Sequence, residues 1–400
     1  MKNKAVPEER LLGLYLHLPF CKQKCNYCDF YSGTDQTLME PYLFALKKQI
    51  RDVAPECENY TVDTVFLGGG TPTVLPTFEL VALMQTIAAF YHLAPDAEIT
   101  IEANPKTVTT ASLRPLRECG YNRISFGVQS ADDNQLRALG RIHTFADAQI
   151  SVESALAAGF ADWNLDAMYG IPYQTKDSLL RTLQAFISLA PVHLSVYGLR
   201  VEPQTPFGRM KERLILPSEE EQADMYAELV TFLQSAGYAQ YEISNFAKSG
   251  KVCRHNLKYW NCEPYLGFGA AAYSDFDGCR FGYTRSIVDY VETVRHSDAG
   301  FPRGAQKSDP YANITEEWDH PDILARRTEY VMLRLRLCEG VVHAVYAARF
   351  GRDFLADYGE RLAKYREGGF VCGDQKRTAL TKKGMEVSNY ILSDILDFET

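Results

Sequence analysis

The chain has 400 residues, 46% of them hydrophobic, which is enough for two or three domains with a large apolar core. Its 42 Lys and Arg against 51 Asp and Glu give a net charge of −9, and with no basic run the chain is a poor candidate for binding nucleic acid. No stretch approaches the ~18 apolar residues of a membrane span, and the N-terminal apolar run carries His17 and Pro19 instead of leading to a small-residue cleavage site. A cytoplasmic location is expected, where the ten cysteines stay reduced and serve as buried hydrophobes or metal ligands.

Six short β-branched runs follow in chain order, at 12–18, 62–69, 98–104, 122–129, 162–170 and 192–199. Amphipathic segments such as "LMEPYLFALKKQIRDVA", "TFELVALMQTIAAFYHL" and "FADAQISVESALAAG" separate them. Apolar runs bounded by Gly and Pro and spaced by helix-length segments predict βα units and a parallel sheet. Six units fall short of the eight in a closed barrel, so the expected fold is α/β, an open (β/α)6 barrel over residues 1–236.

Beyond a helix near 218–236 the texture changes. "YAQYEISNFA" reads as a strand, 250–285 has no clear periodicity, and 300–315 reads as a turn-rich loop. Residues 237–315 are therefore expected to connect the barrel to a small, mostly helical domain at 316–400. A short hairpin is predicted there around "GGFVCGDQKRTALT".

The first chemical signal is "FCKQKCNYCDF", with Cys21, Cys25 and Cys28 in one segment after the first strand. Pro19 and "NYCD" favour a loop over a helix, and a loop that wraps back can aim three thiolates at one centre. Structural zinc normally takes four ligands as two separated pairs; three thiolates suit a four-iron cluster with one iron open to another ligand. Zinc and incidental loop cysteines remain the alternatives.

Ligands of parallel barrels gather where strands end. At those ends lie "GGGTPT" (68–73), whose glycines allow close backbone approach, Glu102 in "EANP", Gln129 in "RISFGVQS", Arg141 in "GRIH" and Asp166 in "NLDAMYG". Each has a plainer alternative: Glu102 pairing with Arg123, Asp166 capping a turn, Arg141 as a surface cation. Together they offer a cation for a carboxylate, acceptors for an ammonium, and acceptors for ribose hydroxyls.

The CX3CX2C spacing resembles the signature of the radical S-adenosylmethionine (SAM) superfamily. The chain as a whole resembles its branch that contains oxygen-independent coproporphyrinogen III dehydrogenase and haem chaperones. The resemblance implies a 4Fe–4S cluster on Cys21, Cys25 and Cys28, with SAM chelating the fourth iron through its methionyl amine and carboxylate. It also implies SAM contacts at Tyr15, Tyr27, Gly69, Gly70, Thr71, Glu102, Gln129, Arg141 and Asp166. Arg141 is expected on the SAM carboxylate, Gln129 and Asp166 near the ribose, and Tyr27 beside the adenine. The C-terminal "ALTKKGMEVSNYIL" resembles the branch's small helical domain.

Two functions compete within this branch, an oxidative decarboxylase of porphyrinogen propionates and a haem carrier. The decarboxylase typically extends the motif to a fourth cysteine, where this chain has Phe30, and has a longer N-terminal segment than the twenty residues before Cys21. Residues 255–260 read "HNLKYW", matching an HNXXYW motif associated with haem binding. His255 then offers an imidazole for haem iron, and Tyr259 and Trp260 could pack on a macrocycle. The expected function is a haem chaperone that passes haem to recipient apoproteins, expected among respiratory enzymes. Any membrane contact would be peripheral, and the sequence leaves a homodimer open. Cys253 and Cys262 flank His255 at no recognisable zinc spacing.

Overall fold

The computed structural model describes residues 10–298, 300–302 and 311–396. All six predicted strands form: β1 (Arg10–Leu18), β2 (Tyr60–Gly69), β3 (Leu93–Ala103), β4 (Arg123–Gln129), β5 (Asp162–Tyr169) and β6 (His193–Gly198). They pair in parallel in sequence order, as an open barrel of βα units requires. Helices cover the outer face, among them Met39–Val53, Thr77–Phe90, Thr110–Glu118, Phe145–Ala157 and Lys176–Ser188. Their starts are fixed locally: Thr144 with Asp147 and Thr175 with Ser178 form reciprocal capping boxes. β2 is buried along nearly its whole length, the signature of a parallel strand covered on both faces.

The sheet is wider than the sequence predicts. The predicted strand at "YAQYEISNFA" is a tight pair, β7 (Ala239–Gln240) and β8 (Asn245–Ala247), with β8 antiparallel to β6. The aperiodic stretch 250–285 holds the helix Arg254–Trp260 and β9 (Tyr265–Phe268), β10 (Tyr273–Phe276) and β11 (Cys279–Tyr283). β9 runs parallel to β1, and β10, β11 and β12 (Thr315–Asp319) continue the sheet antiparallel. The segment expected to connect two domains thus widens both edges of one twelve-stranded sheet, and β12 crosses the boundary expected at 315. Of the predicted loop at 300–315, residues 303–310 lie outside the described residues.

The C-terminal region has its own core, in which Val331, Tyr346, Phe354 and Ile391 are fully buried. The predicted hairpin is present as β14 (Val371–Gly373) against β15 (Arg377–Leu380), joined on its other side by β13 (Val341–Val342). No helix among the described residues is long and apolar enough to cross a membrane.

Candidate functional site

β1 delivers the chain into the cysteine loop, which is tied at both ends and at its tip. The Cys21 amide donates to the Gly33 carbonyl (2.9 Å) and Gly33 returns the bond to Pro19 (2.8 Å). At the tip, the Asn26 amide donates to Leu139 O (3.0 Å) and its side chain to Ala138 O (3.0 Å). Cys21, Cys25 and Cys28 are half-buried and free, and lie close enough to repel one another as thiolates. Burial, followed by smaller opposing contacts, raises the Cys21 and Cys28 thiols above their ordinary range. Among the described residues no three Cys, His, Asp or Glu side chains converge on a point fit for a single metal ion. The loop offers three neighbouring thiols, a donor set that suits a four-iron cluster with one iron open to another ligand.

Donors from other strand ends meet the thiols. Arg141 Nη1 lies 3.3 Å from Cys25 Sγ, and Thr71 Oγ1 lies 3.6 Å from Cys21 Sγ. Arg141 Nη2 also donates to Asn104 Oδ1 (2.6 Å) and to the Gly127 carbonyl, while its Nε is buried without a partner. That unspent donor is what a cradle for an anionic group would leave available. Asn104 in turn donates to Thr71 Oγ1 at 2.7 Å. Nothing in the sequence reading singled out Asn104, although it stands two residues after Glu102 in "EANP".

The glycine turn packs directly on the base of this loop. The Gly70 amide donates to Leu18 O (2.9 Å), and a Cβ there would come within 2.7 Å of Leu18 O and Phe20 N. Gly69 takes φ +105°, open to glycine at little cost, and a Cβ would strike the His17 ring at 2.5 Å. Gln129 also sits at positive φ, +75°, where the β4–β5 register slips.

Inside the barrel a second group of polar residues lines a cavity of about 190 Å³, with Tyr15, Glu102, Asn164, Asp166, His193 and Tyr197 in its wall. Glu102 accepts from the Gly69 amide (3.2 Å) rather than pairing with Arg123, which binds Asp162 at 2.6 Å. Burial, reinforced by Asp166, pushes the Glu102 carboxyl up to about 8. Burial also lifts Asp166 to about 6, against the pull of Asn164, whose Nδ2 donates to it at 2.7 Å. Asn164 is held by His193 Nδ1 (2.7 Å), whose other nitrogen meets Tyr241 Oη (2.8 Å). Two residues before Asp166 on a strand means the same face, a signal that could have found Asn164. Tyr15 Oη contacts His17 Nδ1 at 3.0 Å, and burial raises both the Tyr15 and Tyr27 phenols.

The helix Arg254–Trp260 lies against β1 and β2. Glu98 accepts the backbone amides of Arg254 and His255 at its start (both 3.0 Å), and Lys258 pairs with Asp63 at 2.7 Å. His255 is fully buried. Thr64 Oγ1 takes its Nδ1 and Tyr259 Oη its Nε2, each at 2.9 Å, and its ring stacks on Phe66. Burial and the Lys258 charge hold it neutral, its pKa lowered to about 3. Both ring nitrogens are engaged, and the imidazole expected to offer itself to haem iron pins the helix to the sheet through Thr64. Tyr259 lines both the barrel cavity and an adjoining one, whereas Trp260 faces only the latter. Cys253 Sγ donates to Glu98 (3.4 Å), and with Cys262 it forms no metal-binding group among the described residues.

The radical SAM superfamily model matches residues 15–186, and that of the HemN C-terminal domain matches residues 324–387. A Bacillus subtilis relative named "Heme chaperone HemW" is 35% identical over 386 residues, 96% of this chain and 98% of its own. One of the same name from Escherichia coli is 39% identical over 342 residues, 85% and 86% of the two chains. The solved structure of E. coli coproporphyrinogen III oxidase (HemN), a radical SAM enzyme, superposes with a TM-score of 0.83 over 98% of this chain and 91% of that one. At 24% identity this last likeness speaks for the fold alone. An open parallel barrel with a thiol loop at the end of its first strand is the architecture of radical SAM proteins, whose family implies a 4Fe–4S cluster and SAM. Within that superfamily, the chain belongs to the HemW family.

Proposed function

We propose that this protein is a haem chaperone, binding haem and passing it to recipient apoproteins, among them respiratory haem enzymes. The observation that carries the reading is the helix Arg254–Trp260 with its "HNLKYW" sequence, in a chain whose relatives bear the haem-chaperone name. Phe30 supports it: the position of a fourth cysteine in the porphyrinogen-oxidising branch holds an exposed phenylalanine.

In this reading Cys21, Cys25 and Cys28 hold a 4Fe–4S cluster. Arg141, Thr71, Gly69, Gly70 and Gln129 hold the methionyl and ribose ends of SAM, with Tyr15, Tyr27, Glu102 and Asp166 around it. The cluster and SAM together supply one-electron chemistry when bound. The chain's own part is to orient and to exclude water: Arg141 fixes a carboxylate beside Cys25, the glycine turn lets backbone approach, and Glu102 and Asp166 receive donors. Haem ligation by His255 requires one of its two bonds, to Thr64 or to Tyr259, to be exchanged for iron. Exchange of the Thr64 bond couples uptake to loosening of the helix from β2, whereas exchange of the Tyr259 bond stays within the helix.

The test is one anaerobic preparation, reconstituted with iron and sulfide and titrated with haem. Haem binding to the wild type and an altered spectrum in His255→Ala are expected. Stoichiometric conversion of coproporphyrinogen III to protoporphyrinogen IX would overturn the proposal.

A further inference from the structure

A line of buried polar side chains crosses β5 and β6 and ends at the barrel cavity. Asn164 pairs with His193 across the two strands, and Asp166 with Ser195 one step further along the same face. Asn164 Nδ2 donates to Asp166 Oδ1 (2.7 Å), Asn164 Oδ1 lies 2.7 Å from His193 Nδ1, and His193 Nε2 lies 2.8 Å from Tyr241 Oη. Tyr241 stands in the turn between β7 and β8, and its hydroxyl also receives the Cys253 amide at 3.4 Å. Asn164 and His193 are 3% and 1% exposed, so protein groups must satisfy them.

Both ends of the line demand one direction. An ionised Asp166 can only accept, which turns the Asn164 NH2 toward it and the Asn164 carbonyl toward His193. That carbonyl also only accepts, so the His193 proton belongs on Nδ1. Burial, followed by the Arg123 charge, holds the imidazole neutral, its pKa well below the ordinary range, so Nε2 is bare and takes the Tyr241 proton. At the far end the Cys253 N–H can only donate, which suits a Tyr241 oxygen whose own proton points to His193. Apolar side chains could fill the same space without this constraint. What the constraint achieves lies where the line ends, at the Asp166 carboxylate.

We infer that Tyr241 is a positioning residue: through His193 and Asn164 it keeps the Asp166 carboxylate aimed into the cavity for the ribose of SAM. The inference rests on the placement of SAM proposed above, and adds to it a residue from outside the six βα units.

Two readouts on the reconstituted full-length protein test this. Nitrogen-15 spectra of the histidine-labelled, SAM-free protein report the His193 tautomer, its signal being the one absent from His193→Asn. A proton on Nδ1 and a bare Nε2 are expected. SAM affinity, read from the change in the cluster's spectrum, should fall about fivefold in Tyr241→Phe, the loss of one hydrogen bond. Tyr238→Phe removes a buried phenol that donates to Pro191 O (2.7 Å) outside the line, and should leave the affinity unchanged. In an Asp166→Ala background Tyr241→Phe should have no further effect, because nothing remains to be aimed. His193→Asn, whose amide can still donate to Asn164, should bind SAM more tightly than His193→Leu, and this pair decides the question if Tyr241→Phe does not fold. A proton on Nε2, an unchanged affinity in folded Tyr241→Phe, an equal loss in Tyr238→Phe, additive losses in the double variant, or equal affinities in the His193 pair would each overturn the inference alone. Asp166→Ala binding SAM as the wild type does would overturn the placement of SAM and the inference with it.

Discussion

Arg141 reaches Cys25 across 116 positions of sequence, its Nη1 3.3 Å from the sulfur. The same guanidinium holds Asn104, which holds Thr71, which touches Cys21. A single cation thus ties three strand ends to two thiols while keeping one buried N–H unspent. Lysine cannot reproduce this fork. Arg141→Lys should lower SAM affinity at least tenfold, read from the SAM-induced change in the cluster's spectrum. Iron content should remain near wild type, because the thiols themselves are intact.

Gly70→Ala should be far more harmful than its size suggests. The added methyl meets backbone atoms of Leu18 and Phe20, which cannot rotate away. A cost of about 1–3 kcal/mol is expected for such overpacking, together with poor iron loading as the base of the cysteine loop is displaced. Thermal melting and iron assay of the variant check both.

Glu102 sets a pH dependence whose sign can be worked out. Its carboxyl titrates near 8 in the folded protein against an ordinary value of 4.5, so between those limits the native state binds the extra proton. This contribution to the stability of the SAM-free protein is then lost as pH rises from about 4.5 through about 8. Glu102→Gln should flatten the slope and be the more stable of the two at pH 8, by urea unfolding at several pH values. An iron-chelating amine must itself shed a proton, so the part of the proton release on SAM binding that belongs to Glu102 is the part lost in Glu102→Gln. Calorimetry in buffers of different ionisation enthalpy measures that release directly.

Thr64→Val separates the two roles of His255. The swap nearly preserves shape but strands a buried Nδ1, and should cost about 1–3 kcal/mol of stability. If haem iron takes a nitrogen that Thr64 otherwise occupies, the same variant should bind haem about fivefold more tightly, since roughly 1 kcal/mol no longer opposes release. Haem affinity falling in parallel with stability would sink ligation through Nδ1.

The barrel was legible because its information is local. Each of the six strands is a short β-branched run with turn residues near its ends, and the thiol triad spans only eight residues just after one strand. The wide edge of the sheet was not, because β9 is four residues long, contains a glycine, and finds its partner about 250 positions away in β1. The setting of His255 was hidden for the same reason. The sequence displays an imidazole at motif spacing, whereas its burial depends on Thr64, 191 positions distant. Glu242 lay inside a stretch read as one strand, and only the turn between β7 and β8 buries its carboxylate among the amides of Ile243, Ser244 and Asn245.

The pairing of β1 with β9 also has a bearing on the order of assembly. The strand leading to the thiols is synthesised well before β9 and the Ile287 amide that binds Tyr31, which come more than 230 residues later. Long-range parallel pairing is slow to form, and chains fold as they emerge. The cysteine loop is therefore begun early and finished late. During the interval the loop follows a strand with only one neighbour and lacks the Ile287 bond to Tyr31.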